Sequence, residues 1–348
     1  VPATDGGTSP TVALVAHVDT SPEAPGDGVN PCVIESYEGG DITLPSGAEI
    51  SVSDCPDLRT MLGKTLVTTD GTTLLGGDDK AGVAIIMELA NTLIENPHLM
   101  HGPVRVLMTC DEEIGRGTDK IDLEKLDATV AYTLDGGGAG VIDVETFSAD
   151  AAVIRFIGYN IHPAIATGRM INAVRAAADF VASLPRDSCT PETTEGRQGF
   201  IHPHTIRGGV GEATVELILR SFDEEDLRSY AERLEQLAAS IRSHTPGLKT
   251  EIEIRRQYRN LRDGLKELPQ AVSLAKQAFE NLDRPYTEAI IRGGTDGSQL
   301  TEQGLPTPNL SSGQHNIHSV TEFACLDQMV EAVEHLLELL GLWSEQKS

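Results

Sequence analysis

The stretch Thr68 to Val83, TTDGTTLLGGDDKAGV, carries an apolar strand into glycines, delivers two adjacent carboxylates and then begins a helix. A carboxylate on a Gly-rich turn at a strand end can present both oxygens outward, and two oxygens can bridge two metal ions about 3.5–4 Å apart. Asp78 is the residue placed to do this. A plainer role fits the same pair, because Asp at a helix start accepts from free backbone N–H groups, and Asp79 with the run Lys80 to Leu93 behind it suits that role. Near the start of the chain, the strand Thr11 to Ala16 runs into His17, Val18 and Asp19. Strand alternation puts His17 and Asp19 on one face, where the carboxylate can orient the imidazole for a metal, although a hydrogen-bonded surface histidine gives the same pattern. The strand Val104 to Thr109 is followed by Asp111, Glu112 and Glu113, and the strand Thr129 to Leu134 by Asp135 and three glycines. Adjacent acids mean little in a chain with 53 Asp+Glu, but these lie just past strand ends, where open α/β sheets build their ligand crevice. Histidines with carboxylates and no thiolates suit zinc in a catalytic rather than a structural site.

The elements that must hold these residues follow from period and punctuation. A helix is expected from about Asp79 to Ile94, with Val83, Ile86, Met87, Ala90 and Ile94 at core spacing and Asn96-Pro97 as its stop. Residues 20–61 are rich in Pro, Gly, Asp and Asn and read as a loop excursion over one sheet edge. From Asp150 the order becomes strand, helix, two strands, helix, strand, the split βαβ unit of ferredoxin-like domains. The expected fold is therefore α/β: a mixed sheet with helices on both faces, formed by residues 1–148 and 260–348, carrying an inserted α+β domain at 149–259. The returning segment is expected to hold helix Leu268 to Leu282, strand Tyr286 to Ile291, helix Ser298 to Gln303, strand Thr307 to Leu310, a loop with His315 and His318, and a closing helix Leu326 to Leu340.

Composition narrows the partners. The formal charge of -26, from 27 Lys+Arg against 53 Asp+Glu, excludes a phosphate-tracking nucleic-acid surface and disfavours anionic membranes. The five cysteines are scattered without a C-x-x-C pair, which predicts reduced thiols in a cytoplasm. Cys110 precedes the acids but has no partner base, so thiol nucleophilic chemistry is not expected. No apolar run approaches the roughly 18 residues of a membrane helix.

Six segments carry a resemblance: AHVDTSP (Ala16 to Pro22), Thr69 to Ala84, DEEIGRG (Asp111 to Gly117), AYTLDGGG (Ala131 to Gly138), PETTEGRQGF (Pro191 to Phe200) and IRGGTDG (Ile291 to Gly297). In order through the whole chain, they resemble the tripeptide aminopeptidases of the two-zinc aminopeptidase, carboxypeptidase and deacylase family. The resemblance implies one zinc on His17 and Asp135, a second on Glu113 and His318, and Asp78 bridging both across a cis bond to Asp79. Asp19 would orient His17, and Glu112 would be the general base, with an exchange of roles between Glu112 and Glu113 left open by their spacing. In the inserted domain, His162 resembles the histidine that polarises the scissile carbonyl. Asn172 and Arg220 resemble the groups that receive the substrate's terminal carboxylate, with a helix cap and a surface ion pair as their plainer roles. Arg292 and Asp296 are candidates for contacts at the substrate's ends.

The implied activity is release of the N-terminal residue from tripeptides by zinc-activated water. A dipeptidase, carboxypeptidase or N-acyl-amino-acid deacylase shares the same zinc chemistry, and an inactive truncated peptide- or metal-binding form is the rival from another class. Related enzymes also imply a homodimer through the inserted domain, with His162 reaching the neighbour's active site. The chain departs from the family at Gly77, Cys110 and Ala164, and it lacks the N-terminal helix and strand that precede the AHVDT strand in the family. An uncovered sheet edge and apolar helix faces are the expected consequence.

Overall fold

A computed structural model describes residues 1–347. In chain order it contains β1 (Val12–His17), β2 (Pro31–Ile34), β3 (Ile42–Thr43), β4 (Glu49–Ile50), β5 (Leu66–Thr69), α1 (Gly77–Glu95), β6 (Val104–Thr109), α2 (Leu123–Leu126), β7 (Val130–Gly137) and β8 (Val141–Thr146). Next come β9 (Ser148–Ile157), α3 (Ala173–Ser183), β10 (Phe200–Gly208), β11 (Glu212–Ser221), α4 (Glu224–His244) and β12 (Lys249–Tyr258). The chain closes with α5 (Arg262–Leu265), α6 (Gln270–Asn281), β13 (Thr287–Ile291), α7 (Asp296–Glu302), β14 (Asn309–His315), β15 (Phe323–Cys325) and α8 (Leu326–Ser344).

Among the described residues, 1–144, 261–290 and 295–347 form one unit. Its nine-stranded sheet runs β2-β5-β15-β14-β7-β1-β6, with β8 and β13 joined beside β14. β1 lies parallel to β6 and β7, and β14 parallel to β7, whereas β15 is antiparallel to both β14 and β5. Every residue of β1 is buried, which requires cover on both faces of the sheet. Leu14 and Ala16 face Ile85, Ile86 and Leu89 of α1 and the α8 residues Leu336, Leu339 and Trp343, while Ala13 and Val15 face the layer that includes Leu300. Trp343 donates to the Tyr132 hydroxyl at 2.9 Å, and Tyr132 donates to the Ala271 carbonyl at 2.8 Å, so α8, β7 and α6 share one satisfied polar chain inside the core.

The buried stripe of α1 differs from the expected one. Ile85, Ile86, Leu89 and Leu93 are buried, whereas Met87 and Ile94 are exposed. Close docking of the helix start sets this phase: a Cβ at Gly82 would come within 2.5 Å of both the Asp79 carboxylate and the Leu134 carbonyl. The sequence also misplaced two strand ends. His17 is the last residue of β1 and Asp135 lies inside β7, so neither is in a loop beyond its strand.

Residues 145–260 with 291–294 form the second unit. Its strands follow the order β10-β11-β9-β12, each antiparallel to its neighbour, with α3 and α4 covering one face. This is the split βαβ arrangement, in which β11 inserts between the first two strands of the unit. The division falls four residues ahead of position 149 because β9 already begins at Ser148, and residues 291–294 join this unit through Arg292. The Arg292 guanidinium donates to the carbonyls of Gly196 and Gln198 and to the Thr194 hydroxyl.

One buried group gives the first unit a pH signature. His335 stacks on Phe279 at 3.7 Å and donates to the Ala275 carbonyl, and burial pushes its imidazolium pKa down to about 4. Its folded pKa lies below the unfolded value, so the unfolded chain takes up the proton first and stability falls as pH drops from the unfolded pKa towards 4. Thermal melts are expected to show a loss of about 2 kcal/mol from this group between pH 7 and pH 5. His335→Gln should have a measurably smaller pH 7 to pH 5 difference than the parent chain.

Candidate metal centre

Five short segments deliver the ionisable groups. Gly76, in the left-handed conformation at φ 75°, turns the chain from β5 into α1, and Asp78 and Asp79 follow it with non-helical backbone angles and a cis peptide bond between them. After β6, Asp111 and Gly115 are both left-handed, at φ 69° and 71°, and they fold the tight turn Glu112–Ile114 back on the sheet. His17 closes β1, Asp135 sits in β7, and His318 lies in the connection from β14 to β15.

These segments bring two histidines and three carboxylates together. The Nε2 of His17 lies 2.8 Å from Asp78 Oδ1 and 3.9 Å from Asp135 Oδ1. The Nε2 of His318 lies 3.1 Å from Asp78 Oδ2 and 3.1 Å from Glu113 Oε2. His17, Asp78 and Asp135 thus offer one ligand atom each within 4.8 Å of one another, and Asp78, Glu113 and His318 do the same. Asp78 belongs to both groups through its two different oxygens. Imidazole nitrogen and carboxylate oxygen in threes, with coordination positions to spare, fit a pair of divalent ions of the zinc type. The remaining oxygen of Glu113 is buried without a hydrogen-bond partner, as a second donor atom for an ion would be.

The electrostatics point the same way. Burial opposes charge on His17, but its hydrogen bond to Asp78 and the charges of Asp79 and Asp78 outweigh this and raise its pKa to about 10. Hydrogen bonds to Asp78 and Glu113 raise His318 to about 11. Burial would raise Asp78, yet the hydrogen bonds from both imidazoles hold it well below the usual carboxylate range. A bare chain keeps these histidines protonated because the carboxylates demand positive charge between them, and a divalent cation supplies that charge with neutral imidazoles. Asp135 is raised by burial and by the neighbouring carboxylates Asp79, Asp78 and Glu112. Glu112 is raised to about 8 by burial and by the charge of Asp296, against the pull of His17.

The other expected site residues occupy distinct places. The Asp19 carboxylate lies 3.4 Å from His17 Nδ1 and also accepts from the backbone N–H groups of Glu112 and Glu113 at 3.2 and 3.1 Å. Asp79 is fully buried and accepts from the N–H groups of His17 and Gly82. Asp296 is buried against Gly117, and burial raises its pKa against the pull of the Thr109 side chain. Its carboxylate is therefore covered by protein at this position. In the second unit, His162 is exposed and accepts from the Ala164 N–H through Nδ1. Asn172 caps α3, accepting from Val174 and Arg175. Arg220 donates to the Leu219 carbonyl and to Gln257 and lies over the Tyr258 ring. The residue that sequence reasoning missed is Glu322, whose carboxylate receives three N–H groups of the turn that carries Asp78. Its signal was an acid four residues after His318 at the edge of an apolar strand.

Residues 73–341 match peptidase family M20/M25/M40. The chain is 43% identical to a peptidase T from Geobacillus kaustophilus, over 100% of this chain and 85% of that protein. The chain belongs to this metallopeptidase family, among the peptidase T proteins. Its fold is similar to that of the aminopeptidase PepT from Bacillus cereus, with a TM-score of 0.77 at 23% identity over 99% of this chain and 83% of that one. It is also similar to a dinuclear metal-binding M20 peptidase from Bacillus subtilis, with a TM-score of 0.64 at 17% identity over 98% and 83% of the two chains. Among the described residues of this M20 chain, no helix is long and apolar enough to cross a membrane.

Elemental analysis after reconstitution with a divalent metal is expected to give two ions per chain. Asp78→Asn should lose metal together with activity, because an amide cannot offer two anionic oxygens. A single ion in well-folded parent protein would overturn the shared-carboxylate arrangement.

Proposed function

We propose that this M20 enzyme is a two-zinc aminopeptidase that removes the N-terminal residue from tripeptides. The observation that carries the reading is Asp78 standing between His17 and His318 with one oxygen toward each, at 2.8 and 3.1 Å. The peptidase T relatives and the dinuclear family member support both the substrate class and the metal count. In this reading His17 and Asp135 hold one zinc, Glu113 and His318 the other, and Asp78 both. A bound zinc pair lowers the pKa of water and polarises a carbonyl oxygen.

The chain's own residues supply the rest. Glu112 is the general base: it stands beside the ligand Glu113 and belongs to neither ligand group, so it is free to take a proton from the activated water and pass it to the leaving amine. Asp19 fixes this base by gripping the backbone of the Glu112–Glu113 turn while it orients His17. His162, with its ring exposed in the second unit, is proposed to donate to the scissile carbonyl oxygen, within a homodimer where it serves the neighbour's site. Asn172 and Arg220 are proposed to receive the terminal carboxylate, Asn172 with its NH₂ group, since its oxygen is already used by the helix cap. The three-point grip of Arg292 on residues 194–198 suits it to shape that loop at the substrate's end, and in the first unit Asp296 is proposed to act through the charge it presents to Glu112. A cytoplasmic setting keeps the five free cysteines reduced.

Free tripeptides are expected to be cleaved and N-acetylated tripeptides left intact, with a dipeptide assayed beside them. Efficient cleavage of the acetylated substrate would move the reading to a deacylase or carboxypeptidase.

Glu112→Gln is expected to lower kcat by about 10²–10⁴-fold while both ions stay bound, because only proton transfer is removed. Loss of an ion from this variant would show that Glu112 and Glu113 have exchanged roles.

A further inference from the structure

Glu322 is almost completely buried, and it spends both carboxylate oxygens on one short piece of backbone. Its Oε2 accepts from the N–H groups of Leu75 and Gly76, each at 2.8 Å, and its Oε1 accepts from the N–H of Asp78 at 2.9 Å. The partners are 244 to 247 residues away in sequence, so this is a tether between two loops and not a local cap. One loop carries Asp78. The other, which follows β14, carries His318 and is closed on itself by the Glu322 N–H donating to the Ser319 carbonyl at 3.2 Å. Asp78 and His318 are two of the three ligand groups of the second ion position, and each sits on an irregular, left-handed stretch that its own secondary structure does not fix: Gly76 is at φ 75° and His318 at φ 62°. The first ion position differs. His17 and Asp135 lie on the adjacent, hydrogen-bonded strands β1 and β7, so only its third ligand, Asp78, depends on the tether.

We propose that Glu322 is a positioning residue for the metal pair: by clamping the Asp78 turn to the His318 loop it sets the distance between two ligands of the second ion and so sets that ion's affinity. This inference rests on the two-ion reading of the site. A carboxylate bonded to the amides of a ligand-bearing turn acts on the metal through the ligand it holds, and removal of such partners typically costs 10–100-fold in metal affinity. Three charge-assisted bonds from one side chain also fix the direction of the Asp78 carboxylate, because the N–H that Glu322 holds belongs to the same residue.

The test is a titration of metal-free protein with Co²⁺, followed by visible absorption and calorimetry, on the parent chain and on Glu322→Gln. The amide keeps the shape and can still accept from Leu75 and Gly76, but its NH₂ group opposes the Asp78 N–H. The parent is expected to take two ions. The variant, with its melting transition retained, is expected to bind the second ion about 10–100-fold more weakly and the first with a smaller change. Its kcat should return towards the parent value at saturating Co²⁺. Glu322→Asp, which keeps the charge but shortens the reach, should shift in the same direction and serves if the glutamine variant does not fold. Equal affinities in parent and variant, an equal loss of both ions alongside a lowered melting temperature, or a kcat that stays low with two ions bound would each overturn the proposal. A parent that binds fewer than two ions would instead overturn the two-ion reading on which it stands.

Discussion

The structure depends on one carboxylate held between two imidazoles. Asp78 is buried, carries its charge at neutral pH and has a histidine nitrogen against each oxygen. Packing Asp135, Glu112 and Glu113 around it is costly, since two like charges 4 Å apart repel by about 4 kcal/mol even at an effective dielectric constant near 20. Such a cluster needs its charge relieved, by a bound cation or by protonation of Asp135 and Glu112, whose pKa values are raised, and it needs a backbone that cannot drift away. The chain meets the second condition with three further carboxylates outside the two ligand groups. Asp19 holds the N–H groups of Glu112 and Glu113, Asp79 holds those of His17 and Gly82, and Glu322 holds those of Leu75, Gly76 and Asp78. Each ties down a segment that carries a candidate ligand or Glu112. The acids around the centre therefore differ by partner: Asp78 and Glu113 face imidazoles, Asp79 and Glu322 face backbone amides, and Asp19 faces both.

This division explains what was legible in the sequence. The strand Val104–Thr109 was found at its exact bounds because an apolar run ends abruptly in acids. β14, with the sequence NLSSGQH, was read only as a shorter strand and a loop, although all seven of its residues are buried. Its burial is polar: Asn309 receives the Thr133 hydroxyl and the Asp135 N–H and donates to Asp143, and Gln314 donates to Asp135. Hydrophobic periodicity cannot register a strand whose interior is satisfied by hydrogen bonds to its neighbours. The same blindness hid the end of β7, where Asp135 and two glycines continue the strand past its last apolar residue. Gly136 allows that continuation, because a Cβ there would meet the Leu310 backbone at 2.8 Å.

In the site, the residues that meet at Asp78 were legible by type and by position at strand ends, since few other arrangements gather histidine and carboxylate there. The residues expected to meet substrate were less so, because their chemistry is shared with ordinary structural work. Asn172 caps a helix, Arg220 donates to a backbone carbonyl and Arg292 staples a loop across Phe147, each an arrangement that sequence cannot distinguish from ligand binding. Glu322 was passed over for a third reason, although it lies four residues after His318 at the edge of an apolar strand. Its partners are backbone amides, which every sequence has, so nothing about their identity marks it.

The two units divide the chemistry as sharply as they divide the chain. His17, Asp78, Glu112, Glu113, Asp135 and His318 all belong to the first unit, whereas His162, Asn172, Arg220 and Arg292 belong to the second. Both groups of candidate ligands are thus carried by one sheet edge and the loops tethered to it. The carboxylates that hold backbone amides around Asp78, namely Asp19, Asp79 and Glu322, lie in the first unit together with both groups of candidate ligands, so the geometry of those groups is set within that unit.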